Sequence, residues 1–447
     1  METPLYDFVA RYRESGTVRA HMPGHKGVAR LGPEPMDITE IKGADSLFED
    51  DGVLLKSEEN AASLFGSRLT CYSTEGASLC IRAMAALALT AAPQRGRPFL
   101  LAGRNAHRSL LTAAALLDFD IRFLDAEPGS YVSGRVSPDA IRAALQQADT
   151  KPFAVYLTSP DYLGGMTDVA SAARVCHGHG VPLLVDNAHG AYLKFLQKPM
   201  HPLDLGADLC CDSAHKTLPV LTGGAYLHAN GGLLRPTRED VKEKMALFAS
   251  TSPSYLTLLS LDLANRRLAD DFSARLQAFV ATLDQLKADL KARGWTILAG
   301  EPLKLTLRAP GADMTGLQVA ERLRAAGIEC EYADPDYTVM MLGPDNDPSA
   351  IGRIRDALLN IRADAHGEPL PVPPPATDAE RVLTIRQAML CPAETVPLEK
   401  ALGRVLASPS VACPPAVPIA VCGERIREDM LRLFRYYGVR QLRVCRA

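Results

Sequence analysis

From residue 78 to residue 228, short apolar runs alternate with stretches of helical periodicity. Residues 78–92, 109–117, 138–147 and 169–177 read as helices; 99–101, 121–124, 153–157, 181–185, 207–211 and 224–228 read as strands. Strands this apolar, separated by helices, predict a mostly parallel sheet covered on both faces. Such sheets bind ligands beyond the carboxyl ends of their strands, so the chemistry is expected in the residues that follow each strand. Ahead of this region, Thr3-Pro4 opens a helix, with Thr3 as N-cap and Pro4 at the first helical position, where its missing N–H costs nothing. Behind it, long helical stretches over 256–293 lead to a smaller α+β region with strands at 303–307 and 339–342 and a helix over 317–326. The proline-rich run 368–375 is an extended linker. The organisation expected is an N-terminal segment (1–50), a large domain (51–294), a small α+β domain (295–365), a linker (366–376) and a C-terminal module (377–447).

Composition narrows the class. The 447 residues carry 49 Lys+Arg against 52 Asp+Glu, a net charge of −3 that argues against a general nucleic-acid binder. Hydrophobic residues at 47% supply ample core. The alanine-rich stretch 83–92 falls short of the roughly 20 residues of a membrane span, and the first residues show no basic-then-apolar leader pattern. The ten cysteines form no CxxC pair, which reads as reduced thiols in the cytoplasm. Cys176-His177-Gly178-His179 has no second ligand pair at zinc spacing and reads as a helix end, so no metal is expected.

The densest chemistry lies between residues 181 and 217. The strand Leu183-Leu184-Val185 runs into Asp186-Asn187-Ala188-His189-Gly190, and the next strand into Asp212-Ser213-Ala214-His215-Lys216-Thr217. A carboxylate at the end of an apolar strand is costly unless something pairs with it. A lysine at the next strand end is expected to be near-buried, which disfavours its charged form and frees the amine as a nucleophile. Asp and Lys at successive strand ends are what pyridoxal phosphate requires: the lysine for the Schiff base, the aspartate to keep the ring nitrogen protonated. Singly, each also reads as a turn cap or a solvated side chain. Ser73-Thr74-Glu75-Gly76-Ala77-Ser78 supplies a small-residue turn opening a helix, where backbone N–H groups bind phosphate; an ordinary N-cap has the same look. His107, after the strand at 99–101, can stack on a flat cofactor or serve as a turn residue.

Together these segments resemble the Orn/Lys/Arg decarboxylase family, the basic amino-acid decarboxylases of the aspartate-aminotransferase-like pyridoxal-phosphate fold. His21-Met22-Pro23-Gly24-His25-Lys26-Gly27 resembles its PGHKG signature, and Asp37-Ile38-Thr39-Glu40 the D-x-T-E after it. Asn105-Ala106-His107-Arg108-Ser109, Asp186-Asn187-Ala188-His189-Gly190 and Ser213-Ala214-His215-Lys216-Thr217 resemble R-N-x-H-K-S, D-x-A-H-G and S-x-H-K. Cys413-Pro414-Pro415-Ala416 through Gly423-Glu424-Arg425 is similar to the C-terminal P-P-G…P-G-E run. The likeness is to a short form without the N-terminal wing domain of larger members. Departures are Phe48 where a histidine is expected, Ala77 in place of a hydroxyl residue, and Pro-Pro-Ala for Pro-Pro-Gly.

The resemblance implies a mostly parallel α/β large domain with a smaller α+β region, and decarboxylation of arginine, lysine or ornithine to an amine and carbon dioxide. It implies Lys216 as Schiff-base lysine, Asp186 at the ring nitrogen, His107 on the ring face, and His189 beside Asp186 or the ring hydroxyl. Ser73, Thr74, Gly76, Ala77, Ser78, Ser213 and His215 would hold the phosphate, and Ser252 would reach a partner's site in a homodimer. Glu331, with Asp334 and Glu329 nearby, would face the substrate cation; Glu49 and Asp50 are further candidates. Two other readings stay open: another enzyme of the same fold (aminotransferase, aldolase or lyase), and a non-catalytic binding or regulatory protein. No nucleic acid or membrane partner is expected.

Overall fold

The computed structural model describes residues 1–49, 51–93, 96–127, 132–308, 314–361, 379–409 and 417–446. The expected linker at 366–376, residues 413–416 of the C-terminal motif and Asp50 lie outside these residues. Along the chain run α1 (Pro4–Glu14), α2 (Val53–Phe65), β1 (Leu69–Ser73), α3 (Gly76–Ala91), β2 (Phe99–Gly103), α4 (Arg108–Leu117), β3 (Asp120–Leu124), α5 (Pro138–Gln147) and β4 (Val155–Thr158). Then come α6 (Val169–Gly178), β5 (Leu183–Asp186), β6 (Leu209–Asp212), the single turn α7 (Ala214–Thr217), β7 (Ala225–Ala229), α8 (Arg238–Ala246), α9 (Tyr255–Ala269) and α10 (Phe272–Ala292). The rest holds β8 (Thr296–Ile297), β9 (Lys304–Arg308), α11 (Gly316–Ala325), β10 (Tyr332–Ala333), β11 (Thr338–Met341), α12 (Ala350–Leu359), α13 (Ile385–Leu390), β12 (Ala393–Pro397), α14 (Glu428–Tyr436) and β13 (Gln441–Cys445).

Local chemistry sets the boundaries. Thr3 occupies the N-cap of α1, but its hydroxyl donates to Asp7 at 3.1 Å and caps no backbone amide. Gly66 closes α2 at a φ of +62°, a conformation glycine adopts without a Cβ penalty. The strand expected at 153–157 begins later, because Val155 is where the amide finds a neighbouring carbonyl, that of Pro182 at 3.0 Å. The helical stretches expected over 256–293 are α9 and α10, separated by Asp270 and Asp271.

The chain divides into two compact units. The first comprises Met1–Gly96, Ile141–Ser159 and Asp168–Arg275. Within it the strands lie in the order β1-β7-β6-β5-β4. β4, β5 and β6 pair in parallel and β7 runs antiparallel to both neighbours. In register, Thr158 lies opposite Asp186, and Asp186 opposite Cys211. The strand interiors are buried throughout, which explains why they read as unbroken apolar runs.

The second unit comprises Arg97–Ala140, Pro160–Thr167 and Leu276–Ala447. β2 and β3 pair in parallel, β10-β11-β9-β8 form an antiparallel sheet, and β12 pairs with β13. Leu283, Leu286 and Leu290 of α10, Val319 and Leu323 of α11, and Ile354 and Leu358 of α12 share one core with Leu305, Leu307 and Met340 of the sheet. Spacings of three and four residues put each helix's apolar side chains on one face, and each such leucine buried contributes about 1.5–3 kcal/mol. A separate core of Leu398, Leu406, Met430, Phe434, Leu442 and Val444 holds the C-terminal module.

Candidate active site

In the first unit, β5 delivers Asp186 at its carboxyl end and β6 delivers Asp212, after which the chain turns through α7 and presents Lys216. Lys216 Nζ lies 3.1 Å from His189 Nε2. His189 is buried, whereas Lys216 is exposed. The near-buried lysine expected from the sequence is therefore corrected: in a single turn whose Ala214 packs inward, the Lys216 side chain leaves the sheet edge instead of entering the core.

Asp186 is 2% exposed. Tyr156 of β4 donates its hydroxyl to Oδ2 at 2.9 Å and the Ala188 amide donates to Oδ1 at 3.1 Å. Burial pushes the Asp186 carboxyl above its ordinary value, opposed by the Tyr156 hydrogen bond and the Lys216 charge. A carboxylate held this way gains most from a cationic or N–H partner placed against it.

The turn before α3 is tightly built. Ser73 Oγ donates to the Gly76 carbonyl at 3.1 Å and accepts from the Glu75 amide at 3.1 Å. Gly76 has a φ of +68°, and its amide donates to the Gly223 carbonyl at 2.7 Å. That amide is thus committed within the protein. A Cβ at Gly76 would stand 3.8 Å from His215 Cε1, so the turn and the residue before Lys216 meet in space. His215 Nδ1 lies 3.0 Å from the Gly224 carbonyl, and burial lowers the pKa of the imidazole. Thr74 and Ser78 are half-buried, Ala77 and Ser213 buried. The structure thus brings together the segments holding Asp186, His189, Ser213, His215, Lys216 and the turn from Ser73 to Ser78. Ser252 lies on an exposed loop before α9, its amide donating to Ser250 Oγ at 3.1 Å, while the Ser250 amide donates to Glu75 Oε1 of the same turn at 2.6 Å.

Glu49 is exposed in the first unit, and the second unit holds His107, Glu329, Glu331 and Asp334. His107 is the N-cap of α4, where Nδ1 accepts from the Ser109 amide at 3.2 Å and pairs with Ser109 Oγ at 2.9 Å. Glu331 is exposed and accepts from Tyr162 Oη at 2.8 Å. Glu329 pairs with Arg324 at 2.8 Å on the surface. Asp334 is buried; its Oδ1 accepts from the Asp336 and Tyr337 amides at 2.7 and 2.6 Å and its Oδ2 from Tyr332 Oη at 2.9 Å. These bonds shape the turn between β10 and β11. Burial nonetheless raises the Asp334 carboxyl to about 6. Arg104, directly before the Asn105–Ser109 motif, and Glu424 of the C-terminal motif form a bidentate pair at 3.0 and 2.8 Å.

Sequence reasoning missed Tyr156 and the polar cluster around Asp212. Tyr156 left no signal beyond an aromatic in a strand. The cluster's one signal was a histidine, His228, inside the apolar run Ala225-Tyr226-Leu227. His201, Cys210 and Asp212 offer donor atoms within 4.8 Å of one another. His177, from the expected helix end, faces Asp208 at 2.8 Å.

The residues present fit pyridoxal phosphate. Thr217 Oγ1, next to Lys216, is a buried atom with no hydrogen-bond partner among the described residues. An exposed amine, a buried carboxylate and an unpaired buried hydroxyl at adjoining strand ends suit the ring and its phosphate.

Comparison with known proteins gives the same direction. Residues 3–299 match the family model of the Orn/Lys/Arg decarboxylase major domain, and residues 375–442 that of its C-terminal domain. The arginine decarboxylase of Bacillus subtilis is 28% identical over 96% of this chain and 92% of that protein. The arginine decarboxylase of Bacillus anthracis is 27% identical over 97% and 92%. The constitutive lysine decarboxylase of E. coli superposes with a TM-score of 0.78 at 19% identity, over 100% of this chain and 82% of that one, and shares its fold. Among the described residues no helix is long and apolar enough to cross a membrane.

Proposed function

The chain belongs to the Orn/Lys/Arg decarboxylase family, a pyridoxal-phosphate-dependent group of amino-acid decarboxylases, and from that premise we propose that it converts a basic amino acid, arginine foremost, to the corresponding amine and carbon dioxide. The observation that carries the reading is the approach of Lys216 Nζ to His189 Nε2 at 3.1 Å, on the strand end next to the buried Asp186. The names of the Bacillus relatives favour arginine over lysine and ornithine.

When bound, pyridoxal phosphate supplies a protonated aromatic ring that accepts the electron pair left as the carboxylate departs. Asp186 would hold a proton on the ring nitrogen: its buried carboxylate gains from a cationic neighbour, and Tyr156 donates to it at 2.9 Å. Lys216 would provide the amine that holds the cofactor. Beside it, His189 orients the lysine and exchanges a proton with Nζ, so that a proton is at hand for the substrate α-carbon. Ser73, Thr74, Gly76, Ala77, Ser78, Ser213 and His215 are assigned to the phosphate. His107 is assigned to the ring face and Ser252 to the neighbouring subunit of a homodimer. For the substrate cation the candidate is Glu331, whose carboxylate Tyr162 holds, with Asp334 shaping the turn behind it.

The test is direct. Protein loaded with pyridoxal phosphate is offered arginine, lysine and ornithine separately, and carbon dioxide and the amine are identified. Release of both from one of the three is expected, with Lys216→Ala losing the cofactor's visible band and the activity. A keto acid product would point to transamination, and absence of any visible band in the wild type to a binding protein of the same fold.

A further inference from the structure

The feature that the reaction leaves unexplained is the carboxylate of Asp212. It is fully buried, as are His201, His228 and Asn187 around it. Oδ2 lies 2.9 Å from His201 Nε2 and 3.2 Å from His228 Nε2. Oδ1 accepts from Asn187 Nδ2 at 2.6 Å. The outer ring nitrogens are engaged as well: His201 Nδ1 accepts from the Leu203 amide at 3.4 Å, and His228 Nδ1 meets Thr70 Oγ1 at 2.8 Å. The first of these puts the His201 proton on Nε2, facing the carboxylate. The Phe65 ring closes the cluster, its centroid 5.5 Å from that of His201 and 4.5 Å from that of His228.

A buried carboxylate is tolerated only when its oxygens are hydrogen-bonded and its charge compensated. Burial alone would raise the Asp212 pKa; the imidazoles outweigh it and hold the carboxyl well below the usual range. Cys210 Sγ stands 3.6 Å from Oδ1, so the donor set invites a cation. Hydrogen bonds already engage both oxygens, however, and account for the cluster without one. Four polar side chains kept in an otherwise apolar layer need a reason other than stability, since an apolar replacement is often neutral or stabilising.

The reason lies in what the cluster joins. Asn187 follows Asp186 directly, and its backbone amide donates to the Cys211 carbonyl at 2.9 Å. Asp212 begins the turn that ends in Lys216. The Asn187–Asp212 bond therefore ties the segment carrying Asp186 and His189 to the segment carrying Ser213, His215 and Lys216, beyond the last ladder bond between β5 and β6. We propose that Asp212, acting through Asn187 and locked by His201 and His228, is a positioning residue that sets the spacing between Asp186 and Lys216. The inference rests on the proposed function for the roles of those two residues.

The experiment uses full-length protein loaded with pyridoxal phosphate, in the wild type and in Asn187→Ala, Asp212→Asn and the double variant. The wild type is read first: a visible cofactor band and amine formation uphold the proposed function, and their absence overturns that reading independently of this one. Given the band, each single variant is expected to lose about 10- to 100-fold in kcat, the cost of a misplacement on the order of 1 Å. KM for the amino acid should stay within about 3-fold. The midpoint of the band's pH titration should move, because it reports the surroundings of Lys216. The double variant should be no worse than the poorer single one, as for residues acting as a unit. Unchanged kcat and band titration with only a lowered melting temperature would overturn the proposal, as would losses that multiply in the double variant. If Asp212→Asn does not fold, Asn187→Ala and Asn187→Ser carry the test by the same readouts. Stoichiometric metal in the purified protein, lost on Cys210→Ser, would also overturn it by giving the cluster another occupant.

Discussion

Lys216 and His189 meet at 3.1 Å although they follow different strands and lie 27 residues apart. The parallel pairing of β5 with β6 makes the meeting possible, because it brings both strand ends to one edge. The exposed amine thereby gains a buried neighbour able to take or return its proton.

If His189 exchanges a proton with Lys216, His189→Ala should lower kcat by about 100-fold, within the usual range for a lost general acid–base. The visible cofactor band should persist, since the amine remains. Steady-state rates and absorbance on the same samples check this, and an unchanged kcat would refute the role.

Tyr156→Phe removes the hydroxyl donor to Asp186 Oδ2. The buried environment raises the phenol's own pKa well above its ordinary value, so it remains a donor at neutral pH. A hydrogen bond to a charged group contributes about 1.5–3 kcal/mol. Cofactor affinity should therefore fall by about 10- to 100-fold, measured by absorbance titration of the protein freed of cofactor.

Asp262 of α9 accepts from the Tyr6 amide at 2.9 Å and from Ser57 Oγ at 2.5 Å, fastening the start of α1. Burial raises its carboxyl from 3.8 to about 6, against the lowering effect of those bonds. The folded state thus binds this proton more tightly than the unfolded one. The associated stability is fully present below pH 3.8, and it is lost as pH rises through about 6. The loss amounts to about 3 kcal/mol at most. Asp262→Asn should flatten this part of the stability profile, as read from urea midpoints between pH 4.5 and about 7.5. Parallel profiles for variant and wild type would contradict it.

The Arg104–Glu424 pair joins two segments of the second unit 320 residues apart, with the carboxylate 3% and the guanidinium 24% exposed. Arg104→Ala strands a buried carboxylate and should destabilise by roughly 3 kcal/mol. Replacing both residues by apolar ones should cost less than that. Chemical denaturation of the two single variants and the double variant tests the ordering.

Much of this architecture is legible along the chain. The helices at 109–117, 138–147 and 169–177 lie within a residue of α4, α5 and α6, because helical periodicity is a local property. The helical stretches over 256–293 are α9 and α10, with Asp270 and Asp271 between them. Asp186 and Lys216 were legible because a charged residue at the end of an apolar strand is conspicuous. Tyr156 and His201 were not, since a tyrosine in a strand and a histidine in a loop look alike whether or not they face a carboxylate.

The order of helices and strands, the strand ends that bear chemistry and the family likeness thus follow from the chain alone, since each depends on neighbours within a few residues. The outward course of Lys216, the two imidazoles on Asp212 and the union of Arg104 with Glu424 were settled by the tertiary structure. The pairings join side chains that are not sequence neighbours, and their energy depends on burial and on distances of about 3 Å that arise only once the chain has folded.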